Sequence, residues 1–245
     1  MIELIVLGTS VGILSGFFGI GGGTIIIPVL LLLGYTIKDA VSISIVQMVF
    51  SSIYGSYINN KKDTLDILLV LYIGIGGFVG GLLSGFITES LSDKTLEIIF
   101  LIFTVLAILK MFFQTQERCK QVKLNKIWLF SIGLILSLVS MTIGVGGSIL
   151  LIPILVGFLH VELKKAISAG LFFIIFTSIS GLISHTISRD IDFQSGITIG
   201  IASLFGVYIG IIFKDKVNSI LQKRLLVGFY TLVIIYLINR VFING

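Results

Sequence analysis

The stretch FGIGGGTIIIPVL at residues 18–30 recurs as IGVGGSILLIPIL at residues 143–155. The two copies lie 125 residues apart, and the only two prolines of the chain, Pro28 and Pro153, occupy equivalent positions in them. In each copy a run of glycines interrupts an apolar stretch, and the pieces on either side are short for independent membrane spans. A duplicated segment of this kind predicts two structurally similar halves.

Apolar side chains dominate the 245 residues, of which 56% are hydrophobic and 12% charged, and the mean hydropathy is +1.15. A soluble domain has roughly twice that charged share. The 28 glycines follow no triplet period and Cys119 is the only cysteine, which excludes collagen-like and disulfide-stapled chains. The composition therefore predicts an all-α membrane protein with several spans. The net charge of +5 is typical of basic membrane loops, and we predict no nucleic-acid partner.

Further similarities extend the duplication over most of the chain, since KDAVSIS matches KKAISAG and GIGGFVG matches GIASLFG at an offset of 126. We predict an N-terminal repeat over residues 1–116, a polar cytoplasmic linker over 117–126 and a C-terminal repeat over 127–245. Each repeat would begin with a glycine-broken pair of short helices, at about residues 2–34 and 127–159. Three transmembrane helices would follow each pair.

The positions of the Lys and Arg residues predict how the two halves are oriented. If each half crosses the membrane an odd number of times, thirteen of the seventeen basic residues fall on one side and four on the other. Single spans over 2–34 and 127–159 would divide them nine to eight. Because cytoplasmic loops carry the basic excess, we predict inverted halves in a bacterial inner membrane, with both termini outside. Lys214 is placed among the thirteen, just beyond the apolar stretch 193–213.

We name residues 19–24 the first glycine break and residues 144–148 the second. Irregular backbone at membrane depth needs protein or a wet cavity around it, so both breaks should face the interior. The helix after each break would begin near Thr24 or Ser148, either of which is a good N-cap. Its free N–H groups and positive dipole end would favour an anion.

In transporters built from inverted repeats, two broken helices meet near the bilayer midplane and bind substrate there. We therefore predict a paired substrate site that includes the following residues of the two breaks: Gly21, Gly22, Gly23, Thr24, Gly146, Gly147 and Ser148. The alternative is that these glycines only allow helices to pack closely.

Three polar residues within apolar stretches join the predicted site: Gln47, Ser51 and His185. A serine hydroxyl could instead bond to its own helix, and Gln47 and His185 could have structural roles. His185, which corresponds to Asn59 at the offset of 126, could titrate near neutral pH and couple transport to protons. No Asp, Glu, Lys or Arg lies deep in an apolar stretch of the sequence. We therefore expect backbone dipoles and neutral donors to hold the anion.

The sequence also lacks the motifs of common enzymes. It contains no GxxxxGK[ST] nucleotide motif and no HExxH motif, and one cysteine with two histidines is too few for a metal site. We therefore predict that the chain is not an enzyme and needs neither a metal nor another cofactor.

Taken together, these motifs resemble the sulfite exporter TauE/SafE family. The resemblance rests on G-x-G-G-G with a following proline, its mid-chain copy G-x-G-G-S, the motif S-G-x-x-x-H at residues 180–185, and IDF at residues 191–193. It implies a carrier for sulfur-containing anions such as sulfite, thiosulfate or an organosulfonate. We expect alternating access, with a small anion and membrane lipid as partners and a homodimer left open. A passive anion channel and a non-transporting scaffold are the alternatives.

Overall fold

The computed structural model describes residues 2–62, 67–112 and 125–243, and within them every regular element is helical. A short π-helical turn, Asn239–Ile243, follows the last α-helix. In chain order the helices are α1 (Ile2–Phe18), α2 (Gly23–Leu32), α3 (Ile37–Lys61), α4 (Ile67–Gly81), α5 (Ser84–Ser90), α6 (Asp93–Phe112), α7 (Lys126–Thr142), α8 (Ser148–Gly157), α9 (Leu163–Ser188), α10 (Phe193–Lys216) and α11 (Ser219–Ile238).

The lengths of these helices agree with a multi-pass membrane protein. Four of them are long and apolar enough to cross a membrane, namely α3, α9, α10 and α11, and α4 with α5 makes a fifth candidate if the bent pair is one span. The pairs α1–α2 and α7–α8 consist of one 17-residue and one 10-residue helix, separated by the glycine breaks. The predicted broken helices are therefore present in both halves.

One predicted continuous helix is bent. The helix that follows α3 consists of two pieces, α4 and α5, whose axes differ by 41°. Gly80 and Gly81 close α4 where it packs against neighbouring helices, and a Cβ on Gly81 would overlap the Ser180 hydroxyl. Adjacent glycines weaken a helix and allow this close approach, so the bend follows from packing that hydropathy alone does not reveal.

Glycines also join the two halves. Helix α1 packs along α10 and α7 packs along α4, so each half places its first helix against the other half. A Cβ on Gly12, Gly206, Gly76 or Gly80 would overlap the backbone of the facing helix. Glycines spaced by four residues, as Gly76 with Gly80 and Gly206 with Gly210, therefore form packing faces between these helices. Helices α3 and α9 pack against each other between these pairs and carry about half of the buried polar residues in the described part of the chain.

Most of the predicted linker, residues 117–124, lies outside the described residues. Its last residue, Lys126, is already the first residue of α7. The Asn125 side chain caps this helix by accepting a hydrogen bond from the Ile127 N–H at 3.4 Å. The division into two repeats stays a prediction.

Candidate functional site

The helices after the two breaks begin at glycine caps. Gly22 is the N-cap of α2 and Gly147 is the N-cap of α8, and neither provides a side-chain acceptor. The prediction that Thr24 or Ser148 caps these helices is therefore wrong, because both residues already lie in the first helical turn. Their hydroxyl groups remain available for other contacts.

Both breaks use backbone conformations that favour glycine. Gly19 and Gly144 each have φ of 69°, while Gly21 and Gly146 have φ of 69° and 81°. Side chains with a Cβ rarely adopt these values, which explains why glycine stands at both pairs of equivalent positions. The following cap differs, with φ of −80° in the first break and 80° in the second. The two half-sites are thus similar but not identical.

The two breaks touch each other. A Cβ on Gly23 would overlap the carbonyl oxygen of Gly144, so the start of α2 lies directly against the second break. The Ser44 hydroxyl of α3 is 2.8 Å from the same oxygen, to which it can donate. This contact brings together two segments separated by more than a hundred residues.

Two side chains from α3 and α9 lie between the breaks. A Cβ on Gly21 would be 3.1 Å from the Met48 sulfur, and a Cβ on Gly146 would be 2.7 Å from it. Both glycines also face Ile174, and Met48 and Ile174 are fully buried. Thr177, one turn further along α9, has its hydroxyl 3.2 Å from the Gly146 carbonyl oxygen. We call the region around Met48 and Ile174 the central site.

Gln47 lies at the first half-site. A Cβ on Gly22 would overlap its side-chain oxygen, which shows how closely the amide approaches the N-cap of α2. Both polar atoms of the Gln47 amide are buried and have no hydrogen-bond partner among the described residues. At the equivalent position of the second half, the Phe173 ring lies beside Gly147. The first half-site is therefore more polar than the second.

Several hydroxyls near the breaks are buried without a hydrogen-bond partner in the described part of the chain. They belong to Thr24 and Ser148 in the first turns of α2 and α8, and to Ser15 and Ser137 on the preceding helices. An unsatisfied buried polar group costs about 1–3 kcal/mol. A ligand that accepts hydrogen bonds would remove part of this cost.

Two predicted site residues are placed differently. The Ser51 hydroxyl donates to the Met48 carbonyl of its own helix at 3.3 Å. His185 is fully buried, with no hydrogen-bond partner for either ring nitrogen among the described residues. It lies eight residues beyond Thr177, or about 12 Å along α9, and packs near Gly85 of α5. His185 therefore lies between the central site and one end of the molecule.

The structure also contains a buried lysine. Helix α10 extends to Lys216, so Lys214 lies within the helix and is fully buried. Its Nζ donates to Asn59 Oδ1 at 2.7 Å and to Ser168 Oγ at 3.1 Å. The prediction that Lys214 lies beyond the apolar helix is wrong, because Lys214 belongs to the last turn of α10 and its side chain is buried. The spacing of residues along α10 could have indicated this burial. Lys214 follows the buried residues Val207, Gly210 and Ile211 by seven, four and three positions, which places it on the same face of the helix.

Ion pairs connect the ends of the central helices on both sides. At the end nearest His185, Arg189 pairs with Asp39 and with Glu89, which also pairs with Lys38. At the end nearest Lys214, Lys62 pairs with Asp215. Lys164 donates to the Asp215 carbonyl oxygen at 3.1 Å. Each set joins the start of one central helix, the end of the other and a helix that packs beside them.

Comparison with known proteins gives a consistent result. The family model described as sulfite exporter TauE/SafE matches residues 4–237. The probable membrane transporter protein MJ0441 of Methanocaldococcus jannaschii is 32% identical over 192 residues, which cover 74% of this chain and 71% of that protein. The probable membrane transporter proteins YunE and YdhB of Bacillus subtilis are each 22% identical, and they cover 88% and 86% of this chain and 89% of their own lengths. No solved structure matches.

Proposed function

Because the chain belongs to the sulfite exporter TauE/SafE family of membrane transporters, we propose that it is a carrier for a small sulfur-containing anion such as sulfite, thiosulfate or an organosulfonate. The anion binds at the central site and crosses the membrane by alternating access. The observation that carries this proposal is the contact between the two breaks, which places the start of α2 against Gly144, three residues before the N-cap of α8, in the protein interior. A transport role is also consistent with the prediction that the chain is not an enzyme.

The electrostatics of the central site favour an anion. Each helix N-terminus carries a partial positive charge of about half an elementary charge, with N–H groups that lack acceptors in their own helix. The partial positive charges of two such termini repel each other when they lie close together. A negative group between them is attracted to both and offsets this repulsion. Backbone N–H groups and neutral side chains would hold an oxyanion reversibly, as a carrier requires.

The donors needed for an oxyanion are present on both sides. The N–H groups of Gly22, Gly23 and Gly147 lie at the starts of the two helices, and the Thr24 and Ser148 hydroxyls have no other partner among the described residues. The Nε2 amide of Gln47 adds a further donor on the first half-site. Close approach of a ligand to the backbone requires glycine, which explains the composition of both breaks.

The duplicated architecture supports alternating access. The reciprocal packing of α1 on α10 and of α7 on α4 agrees with two inverted repeats that enclose one site. Ion pairs at both ends of α3 and α9 would be broken and remade as the ends open in turn. The excess of basic residues on one side favours a location of both termini outside the inner membrane.

Thiosulfate binding and transport test the proposal. Purified protein is expected to be stabilised against heat by thiosulfate, and proteoliposomes are expected to show saturable uptake that is accelerated by unlabelled thiosulfate inside. Sulfate, taurine and sulfoacetate compared in the same assay would define the substrate. A non-saturating current with no counterflow would identify a channel instead, and the absence of both binding and flux would contradict a transporter of these anions.

A further inference from the structure

We propose that Lys214 forms a second anion-binding site, between the central site and the end of the molecule where α3 ends and α9 begins. This site receives the transported anion on its way into or out of the central site. The inference rests on the proposed function. It assigns to one buried side chain the positive charge that the central site itself lacks.

The hydrogen-bond partners of the Lys214 ammonium are neutral side chains. They belong to Asn59 and Ser168, and among the described residues no carboxylate oxygen lies within 4.0 Å of the Lys214 Nζ. The carboxylate of the next residue, Asp215, pairs with Lys62 instead. A buried ammonium without a counter-charge is costly, at several kcal/mol per ion. A passing anion supplies the missing negative charge, and both neutral partners can hold the Nζ in place after it leaves.

The position of Lys214 fits a step on the transport path. Ser168, which contacts its Nζ, follows Ile167, and a Cβ on Gly19 would be 2.5 Å from the Ile167 carbonyl oxygen. The Lys214 ammonium therefore contacts the residue of α9 next to the one that touches the first glycine break. Along α9, six residues separate Ser168 from Ile174 at the central site, which corresponds to about 9 Å. An anion could move between the two sites in one short step.

The surroundings of Lys214 attract anions from solvent. Lys62 pairs with the Asp215 carboxylate and Lys164 donates to the Asp215 backbone carbonyl oxygen. Among the described residues, this end of the molecule therefore places three lysines near one carboxylate. The excess positive charge would raise the local anion concentration and guide an anion towards Lys214. Lysine suits a transient contact because its ammonium is a point charge that does not impose the two-pronged geometry of arginine.

The repeat places a different basic residue at the opposite end. At the offset of 126, Asn59 corresponds to His185 and Lys214 corresponds to Thr88. Thr88 donates to the Thr142 carbonyl at 2.8 Å, and His185 is the buried basic side chain there. One end of the molecule therefore has the buried Lys214 on α10, and the opposite end has the buried His185 on α9. A contribution from Lys214 should therefore be specific to one side of the membrane.

Sided uptake of labelled thiosulfate into proteoliposomes tests this site. Lys214→Met is expected to raise the KM by at least about tenfold for uptake from the Lys214 side, and to change the KM from the opposite side much less. Lys216→Met is the matched control, because it removes the same charge two residues away at an exposed position and should leave both values unchanged. A loss of fold alone would not produce a one-sided change.

Asn59→Asp keeps the test decisive if Lys214→Met fails to fold. This nearly isosteric change places a carboxylate 2.7 Å from the Nζ and neutralises Lys214 without removing it. It should raise the same one-sided KM. Wild-type values for Asn59→Asp, or equal changes from both sides, would overturn the second site while leaving the central site intact. Absence of saturable thiosulfate uptake by the unmodified protein would overturn the proposed function and this inference together.

Discussion

The contact between Gly23 and Gly144 can be broken with a single methyl group. A Cβ on Gly23 would overlap the Gly144 carbonyl oxygen and come within 3.0 Å of Val145 Cα, so backbone atoms must move to admit it. Gly23 is the first residue of α2 and has no positive φ, so alanine itself is not strained there. The expected cost is therefore that of overpacking, about 1–3 kcal/mol.

Gly23→Ala should accordingly lower the melting temperature by about 2–12 °C, taking 2–4 °C per kcal/mol for a chain of this size. It should also separate the two helix N-termini and remove the stabilisation by thiosulfate, which at a concentration of 100 Kd would be about 2.7 kcal/mol for the unmodified protein. Thermal unfolding in detergent, with and without thiosulfate, measures both effects.

Gly228→Ala is the matched control for this experiment. Gly228 lies in α11, and a Cβ there would have no atom within 4 Å. Alanine should leave the melting temperature unchanged or raise it, because glycine is unfavourable by about 1 kcal/mol in a helix interior. A Gly23→Ala protein with unchanged melting temperature and unchanged thiosulfate binding would show that the contact between the breaks neither stabilises the fold nor forms the anion site.

Three further changes probe the account. Gln47→Leu should raise the melting temperature and weaken thiosulfate binding, because it removes two buried polar atoms that lack partners among the described residues; lower stability with normal binding would argue against its role. Gly147→Val should insert into the membrane at normal levels but lose thiosulfate binding in a thermal-shift assay, since its φ of 80° is unfavourable for a branched side chain; normal binding would place the anion elsewhere. His185→Asn should leave sulfate affinity unchanged between about pH 5.5 and 8, because the buried ring lies about 12 Å along α9 from Thr177 at the central site; a changed pH profile would place His185 near the bound anion.

The features that could be predicted from sequence are those whose residues recur in both copies of the repeated segment. The glycines at positions 19, 21, 144 and 146 have positive φ in the structure, and their repetition predicts the two breaks. The presence of helices throughout the described residues follows from the same hydropathy that predicts membrane spans.

The remaining features depend on contacts between distant segments. The bend between α4 and α5 and the contact between Gly22 and Gln47 arise where other helices approach, which hydropathy does not encode. The N-caps were misplaced because a glycine cap carries no side-chain signal, while Thr24 and Ser148 carry a strong one. Lys214 was misplaced because one charged residue near the end of an apolar stretch resembles the start of a loop, although its helical phase indicates burial.

The most direct test of the central claim is the location of a bound anion. Selenate, an oxyanion with an anomalous scatterer, can be diffused into crystals of the protein under conditions in which it competes with thiosulfate. If the anion binds between the two breaks, we expect an anomalous peak where the start of α2 meets the second break, within hydrogen-bond distance of Gly22, Gly23 or Gly147. A peak confined to other positions, with none between the two breaks, would contradict this location of the site.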